Sequence, residues 1–173
     1  MFTKLKLSAI LLCLLFTLGC QEDLAPSNDQ LESTQATREG ETLNDITFTL
    51  SDGTSSQLSE QLATHDAVVL YFTMWCPICE GHMSYIRQQI KPDYENVAFI
   101  FVDYVSGNVS STLDSQQSRG YTDFPVISDF NDALEQYFNG TMATTVIVDK
   151  NFIVKLNALF KTGNEISEVL ETI

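Results

Sequence analysis

The chain has 173 residues, enough for one domain with a real core and too few for two of ordinary size. Hydrophobic residues make up 44% and charged residues 18%, the balance of a globular protein and not of a disordered one. A formal charge of −14 argues against nucleic acid or an anionic membrane surface as a partner.

The first 19 residues stand apart from the rest. Lys4 and Lys6 make a small positive segment, and Leu7 to Leu18 form a 12-residue apolar stretch broken only by Ser8 and Thr17. It is too short to span a bilayer comfortably and has the build of a secretory signal. Its end, Phe16-Thr17-Leu18-Gly19-Cys20, resembles the lipobox of bacterial lipoproteins, where a small residue precedes a cysteine that is lipidated and becomes the new N-terminus. The match departs at Thr17, where the lipobox has leucine. The resemblance implies a signal over 1–19 and a lipid on Cys20. With Gln21 following instead of aspartate, it also implies an anchor at the periplasmic face of the outer membrane. Plain cleavage nearby, leaving Cys20 a free thiol, is the alternative. Loss of Lys4 and Lys6 leaves seven basic against 23 acidic residues, a formal charge of −16.

Residues 20–43 are mostly polar and lack a period, so they read as a flexible tether. From 44 onward the pattern is that of a folded domain. Ile46, Phe48 and Leu50 alternate as a half-buried strand, and Ser51-Asp52-Gly53 is a turn. Leu58 to Ala63 predicts a short helix capped by Ser56 or Ser59, and Ala67–Phe72 a buried strand. A helix follows from Cys76 to about Ile90, with Cys79, Met83, Ile86 and Ile90 as its apolar face, stopped at Lys91-Pro92.

Val97–Val102 is a second buried strand, and Asn108 to Arg119 a helix ending at Gly120. Phe124–Ile127 is a short strand, and Asp129 caps a helix over Phe130–Phe138. Thr144–Val148 and Phe152–Asn157 form a hairpin around Asp149-Lys150-Asn151, and Thr162 or Asn164 caps a last helix. The order β-α-β-α-β-α-β-β-α predicts an α/β fold of three layers. Its central mixed sheet has helices on both faces and closes in an antiparallel hairpin plus helix.

The chemistry concentrates in Trp75-Cys76-Pro77-Ile78-Cys79, where the strand gives way to the helix. A helix that begins at Cys76 aims unpaired N–H groups at its sulfur and favours the thiolate, the form that attacks disulfides. Cys13 leaves with the signal and Cys20 carries lipid, so the domain keeps only Cys76 and Cys79. In an exported protein such a pair reads as a working redox couple. Zinc wants four ligands, and the chain has no second cysteine pair and only two histidines. No cofactor or metal is expected.

Cys76 is the expected nucleophile, and Cys79, one turn on and more buried, the resolving thiol. Trp75 either lines the active-site surface or packs in the core. Pro77 suits an early helical position, and Ile78 adds no charge to steady the thiolate, which points to a reductant of middling potential. His82 is a candidate proton shuttle, with a plain surface histidine as the alternative. Tyr71 and Tyr85 read as packing, Glu80, Arg87 and Lys91 as solvent-facing, and Asp103-Tyr104 either as a border of the site or as a turn or cap.

These residues together resemble the thioredoxin-fold thiol–disulfide oxidoreductases, specifically the TlpA-like redoxin group of bacterial envelope lipoproteins. The resemblance covers about 44–173. It rests on Phe48-Thr49-Leu50-Ser51-Asp52-Gly53, the Trp75–Cys79 motif, Phe124-Pro125-Val126 with Asp129, and Thr144-Thr145-Val146-Ile147-Val148-Asp149. It implies reduction of disulfides in exported proteins, with a membrane-linked thiol reductant to recharge the pair.

In that family a cis-proline faces the cysteines, and here Ala143 stands in its position after Met142. A cis bond before alanine costs about 2.5–4 kcal/mol, so a trans peptide is predicted. The acid often buried beneath the pair is replaced by Leu70, and His82 stands where some members carry a glutamate. Two other uses of the same cysteines remain. One is a peroxiredoxin-like peroxidase, because Thr73-Met74-Trp75-Cys76 matches its Thr-x-x-Cys segment though the preceding proline is absent. The other is a metal or copper carrier using Cys76, Cys79 and His82.

Overall fold

A computed structural model describes residues 38–173. The signal, Cys20 and all but the last residues of the expected tether lie outside that range. Two strands form the spine: β3 (Ala67–Thr73) and β4 (Val97–Asp103), paired in parallel from Ala67 opposite Val97 to Thr73 opposite Asp103. Both are rich in β-branched and aromatic residues that suit a pleated surface. The five-stranded sheet has the order β5-β4-β3-β6-β7, with β5 (Val126–Ser128) parallel to β4. Strand β6 (Thr144–Asp149) runs antiparallel to β3, and β7 (Val154–Leu159) antiparallel to β6.

The two-residue period of a strand sorts β3 into two cores. Ala67, Val69 and Tyr71 pack on one face with Met83, Ile86, Ile90, Ile166 and Leu170. Val68, Leu70 and Phe72 pack on the other with Leu58, Leu62, Leu134 and Phe138. Each such side chain, taken out of water, contributes about 1.5–3 kcal/mol before entropy is counted. The first face is covered by α2 (Pro77–Tyr85), continued by a π-turn over Ile86–Ile90, and by α5 (Asn164–Leu170). The second is covered by α1 (Leu58–Leu62) and α4 (Ala133–Phe138). Helix α3 (Val109–Ser118) starts at Asn108, whose side-chain oxygen accepts the Ser111 N–H at 2.9 Å.

Several expectations need correction. The first strand, β1 (Thr47–Thr49), is not part of the main sheet; it pairs with β2 (Ser55–Gln57), a polar segment with no strand signal. Gln57, not Ser56 or Ser59, starts α1, and its N–H donates to the Glu60 carboxylate at 3.0 Å. Asp129 does cap α4, accepting the N–H groups of Leu134 and Glu135 at 3.0 and 2.8 Å. The helix nevertheless begins only at Ala133, because Asp132 is left-handed at φ 54°. Gly163, at φ 85°, occupies the cap position of α5 expected of Thr162 or Asn164.

Residues 38–43, assigned to the tether, lie on the domain. Leu43 is buried, Thr42 bridges to Ile153, and the Gly40 N–H donates to the Val154 carbonyl at 2.8 Å. Among the described residues no helix is long and apolar enough to cross a membrane.

Candidate active site

Strand β3 is central, so its C-terminal end opens at the middle of the sheet edge where α2 begins. The Thr73 hydroxyl accepts the Trp75 N–H at 3.0 Å, and Trp75 takes a left-handed conformation at φ 59°. That corner turns the chain from strand into helix and sets Cys76 as the N-cap of α2, with Pro77 in the first turn.

Cys76 is partly exposed, whereas Cys79 is fully buried. Both are free thiols, their sulfurs 2.8 Å apart, and Cys76 Sγ accepts the Cys79 N–H at 3.3 Å. Burial pushes the Cys76 thiol up, but hydrogen bonds from the Cys79 thiol and from the N–H groups of Cys79 and Ile78 outweigh it. The net result holds Cys76 below the ordinary thiol range, as the helix start predicts.

Facing the pair is the loop that enters β6. Met142 Sδ lies 3.5 Å from Cys76 Sγ, so the thioether of the residue before Ala143 faces the nucleophile. The Met142–Ala143 peptide is trans, as predicted, and Ala143 is left-handed at φ 70°. Both polar groups of Ala143 are spent inside the fold: its N–H donates to the Phe72 carbonyl at 3.0 Å, and its carbonyl accepts the Phe160 N–H at 2.8 Å. Gly140 lets this loop close, because a Cβ there would meet the Phe72 ring at 2.4 Å.

The remaining residues divide between mouth and interior. Ile78 is 58% exposed beside Cys76, and Pro77 is exposed. Trp75, expected either to line the mouth or to pack, turns inward at 4% exposure and leans on Tyr121 at a centroid distance of 6.4 Å. Its indole N–H is buried without a partner. Glu80 and Arg87 are not simply solvent-facing: Glu80 pairs with Arg119, while Arg87 lies 4.2 Å over the Tyr121 ring and pairs with Asp123. Asp103 makes the expected turn, accepting the N–H groups of Val105 and Ser106 at 3.1 Å.

His82 is not a plain surface residue. Its ring stacks on Phe160 at 4.2 Å, and its Nδ1 lies 2.9 Å from the Tyr71 hydroxyl. Burial pushes its pKa below the ordinary value, with the Glu165 charge opposing. Tyr71 is 1% exposed and packs in the same core cluster as Cys79. Burial and then the nearby Cys79 and Cys76 charges push the phenol far above its usual range. Read as packing from sequence, Tyr71 thus carries a polar tip into the site. The signal was a hydroxyl within an otherwise apolar strand, since a buried phenol normally finds a partner. At Tyr104 too, burial and then the Cys79 charge raise the pKa.

Thr73, the threonine of the Thr-x-x-Cys segment, is fully buried and engaged with the Trp75 N–H. Among the described residues no three His, Cys, Asp or Glu side chains gather in a metal-holding group, and His82 turns to Tyr71 and not to both sulfurs.

A family model described as Redoxin matches residues 38–173. No curated protein sequence matches the chain. Among solved structures, a candidate protein disulfide isomerase from Bacteroides thetaiotaomicron superposes with a TM-score of 0.63 at 23% identity, covering 79% of this chain and 89% of that one. Peroxidoxin BcpB from Mycobacterium tuberculosis gives 0.64 at 21% identity, covering 78% and 94%. A candidate thiol:disulfide interchange protein DsbE from Chlorobium tepidum gives 0.64 at 17%, covering 78% and 96%. At such identities the likeness establishes the thioredoxin-like fold alone.

Proposed function

The chain belongs to the Redoxin family, and from that premise we propose that it reduces disulfides of exported proteins by thiol–disulfide exchange through Cys76 and Cys79. In general terms it is an oxidoreductase. The observation that carries the finer reading is the asymmetry of the pair, one sulfur at a helix N-terminus and within reach of solvent, the other fully buried 2.8 Å behind it.

The Cys76 thiolate attacks a client disulfide, forming a Cys76–client bond and releasing one client thiolate, which takes up a proton. Cys79, once deprotonated, attacks Cys76 and releases the second client thiol. Two electrons pass to the client, and the Cys76–Cys79 pair is left as a disulfide. A membrane-linked thiol reductant recharges it. In this reading a signal peptide over 1–19 is removed and a lipid on Cys20 holds the domain at the periplasmic face of the outer membrane. The lipid is its only membrane contact, and nucleic acid is no partner.

The test is insulin reduction and client capture by wild type, Cys76→Ser and Cys79→Ser. Both variants should lose turnover, and only Cys79→Ser should retain a covalently bound client. Equal capture by the two would overturn the roles. Peroxide consumption faster than disulfide reduction would favour the peroxidase, and a stoichiometric metal that blocks thiol alkylation would favour the carrier.

A further inference from the structure

A thioether rests on the nucleophile, and client exchange gives it nothing to do. Met142 Sδ lies 3.5 Å from Cys76 Sγ, the separation of two atoms poised to react, and the buried Cys79 sulfur lies 2.8 Å from Cys76. The fold holds these three sulfurs together whether or not a client is present. The Thr141 N–H donates to the Thr144 hydroxyl at 2.9 Å and the Ala143 N–H to the Phe72 carbonyl at 3.0 Å, which fixes the loop on either side of Met142. Cys76 is fixed as the N-cap of α2. Met142 is half-buried. When Cys76 and Cys79 are joined as a disulfide, its thioether is the group beside them that peroxide readily converts, to a sulfoxide.

We propose that Met142 is a reversible oxidation site and that the reduced cysteine pair repairs it, an internal methionine sulfoxide reductase activity. The Cys76 thiolate attacks the sulfoxide sulfur and forms a Cys76–Met142 sulfur–sulfur bond. The sulfoxide oxygen takes up two protons and departs as water, which places a positive charge on the Met142 sulfur. The Cys79 thiolate then attacks Cys76, breaks that bond and restores the neutral thioether. The sulfoxide gains two electrons, the pair loses two and closes as a disulfide, and the two thiols supply the two protons. A thiol reductant recharges the pair as before. This rests on the Cys76–Cys79 couple proposed above and needs no client.

The steps parallel client exchange, with a thioether as leaving group in place of a client thiolate. The start of α2 keeps the Cys76 thiolate available for the first step, and the 2.8 Å contact brings Cys79 to the second. Both partners belong to one chain, and well-oriented intramolecular reactions reach effective concentrations of about 10⁵ M or more. Left in place, the sulfoxide sets a polar oxygen against the nucleophile, where a client disulfide must approach. Two other methionines supply internal standards. Met74 is 42% exposed and Met83 is fully buried.

The purified protein is closed as the disulfide, treated with hydrogen peroxide, freed of oxidant, reduced briefly with a phosphine and freed of that in turn. Peptide mass spectrometry then follows the oxygen on each methionine, and thiol titration follows the pair. Peroxide should oxidise both Met74 and Met142 in the disulfide form. After reduction Met142 should lose its oxygen at least about tenfold faster than Met74, with two thiols consumed for each Met142 restored. Cys76→Ser, oxidised in the same way, should keep the Met142 sulfoxide. Equal rates for Met142 and Met74 in the wild type would overturn the proposal. So would recovery of Met142 in Cys76→Ser at the wild-type rate, or a Met142 that peroxide leaves untouched while Met74 is oxidised. Client capture by Cys79→Ser is read separately: repair without capture removes the exchange reading alone, and capture without repair removes this proposal alone.

Discussion

Two left-handed corners flank Cys76, and they are held by opposite means. At Trp75 the main chain has one local bond, to the Thr73 hydroxyl, and the corner is fixed by an indole buried in the core. At Ala143 the side chain is a single methyl, and the corner is fixed by main-chain bonds to Phe72 and Phe160. A left-handed L-residue costs about 1–2 kcal/mol, so each corner must be over-determined by its surroundings. The first is secured by volume, the second by hydrogen bonds. The nucleophile sits between a corner that a cavity would loosen and one that a lost N–H would loosen.

The sharpest attack on this contrast is Trp75→Ala. Removing a buried indole should cost about 3–5 kcal/mol in urea unfolding of the reduced protein. A loss under about 1 kcal/mol would mean that the Thr73 bond, and not packing, holds the corner. Next comes Ala143→Pro, which restores the residue type of the family. Proline fixes φ near −65°, against 70° here, and removes the N–H that reaches the Phe72 carbonyl. We expect a loss of about 3 kcal/mol, read in the same assay. Unchanged stability would show that the loop can rebuild itself in the family geometry. The smallest effect is Ala143→Gly, where relief of the left-handed strain slightly exceeds the extra chain entropy of glycine. A gain of about 0.5 kcal/mol is expected. A loss above about 1 kcal/mol would show that the Ala143 methyl group contributes packing.

The same contrast explains what could be read from sequence. Strands β3 and β4 were legible because an all-apolar run of six residues suits a strand covered on both faces. Cys76 as N-cap was legible because cap, proline and apolar period fall within one short window. Strand β2 was not, because Ser55-Ser56-Gln57 carries no apolar signal and is a strand only by pairing with β1. The inward turn of Trp75 was not, because its φ is set by the core that receives the indole. The trans bond at Ala143 followed from the cost of the cis form, but its positive φ depends on partners at Phe72 and Phe160. Tyr71 and His82 lie 11 residues apart on a strand and a helix, and only the strand-to-helix corner brings them together. Local chemistry was visible in the chain; chemistry assembled across elements was not.

The depth of Cys79 has one more consequence, for survival among oxidants. Of these two sulfurs a dissolved oxidant meets that of Cys76, since Cys79 has no exposure. A sulfenic acid formed at Cys76 would have a thiol 2.8 Å away, with which it condenses to a disulfide and expels water. That product is one a thiol reductant can reverse, whereas a second oxidation at the same sulfur is permanent. Burial of the partner thereby acts as a fuse: damage at the exposed atom is turned into the ordinary oxidised state of the pair.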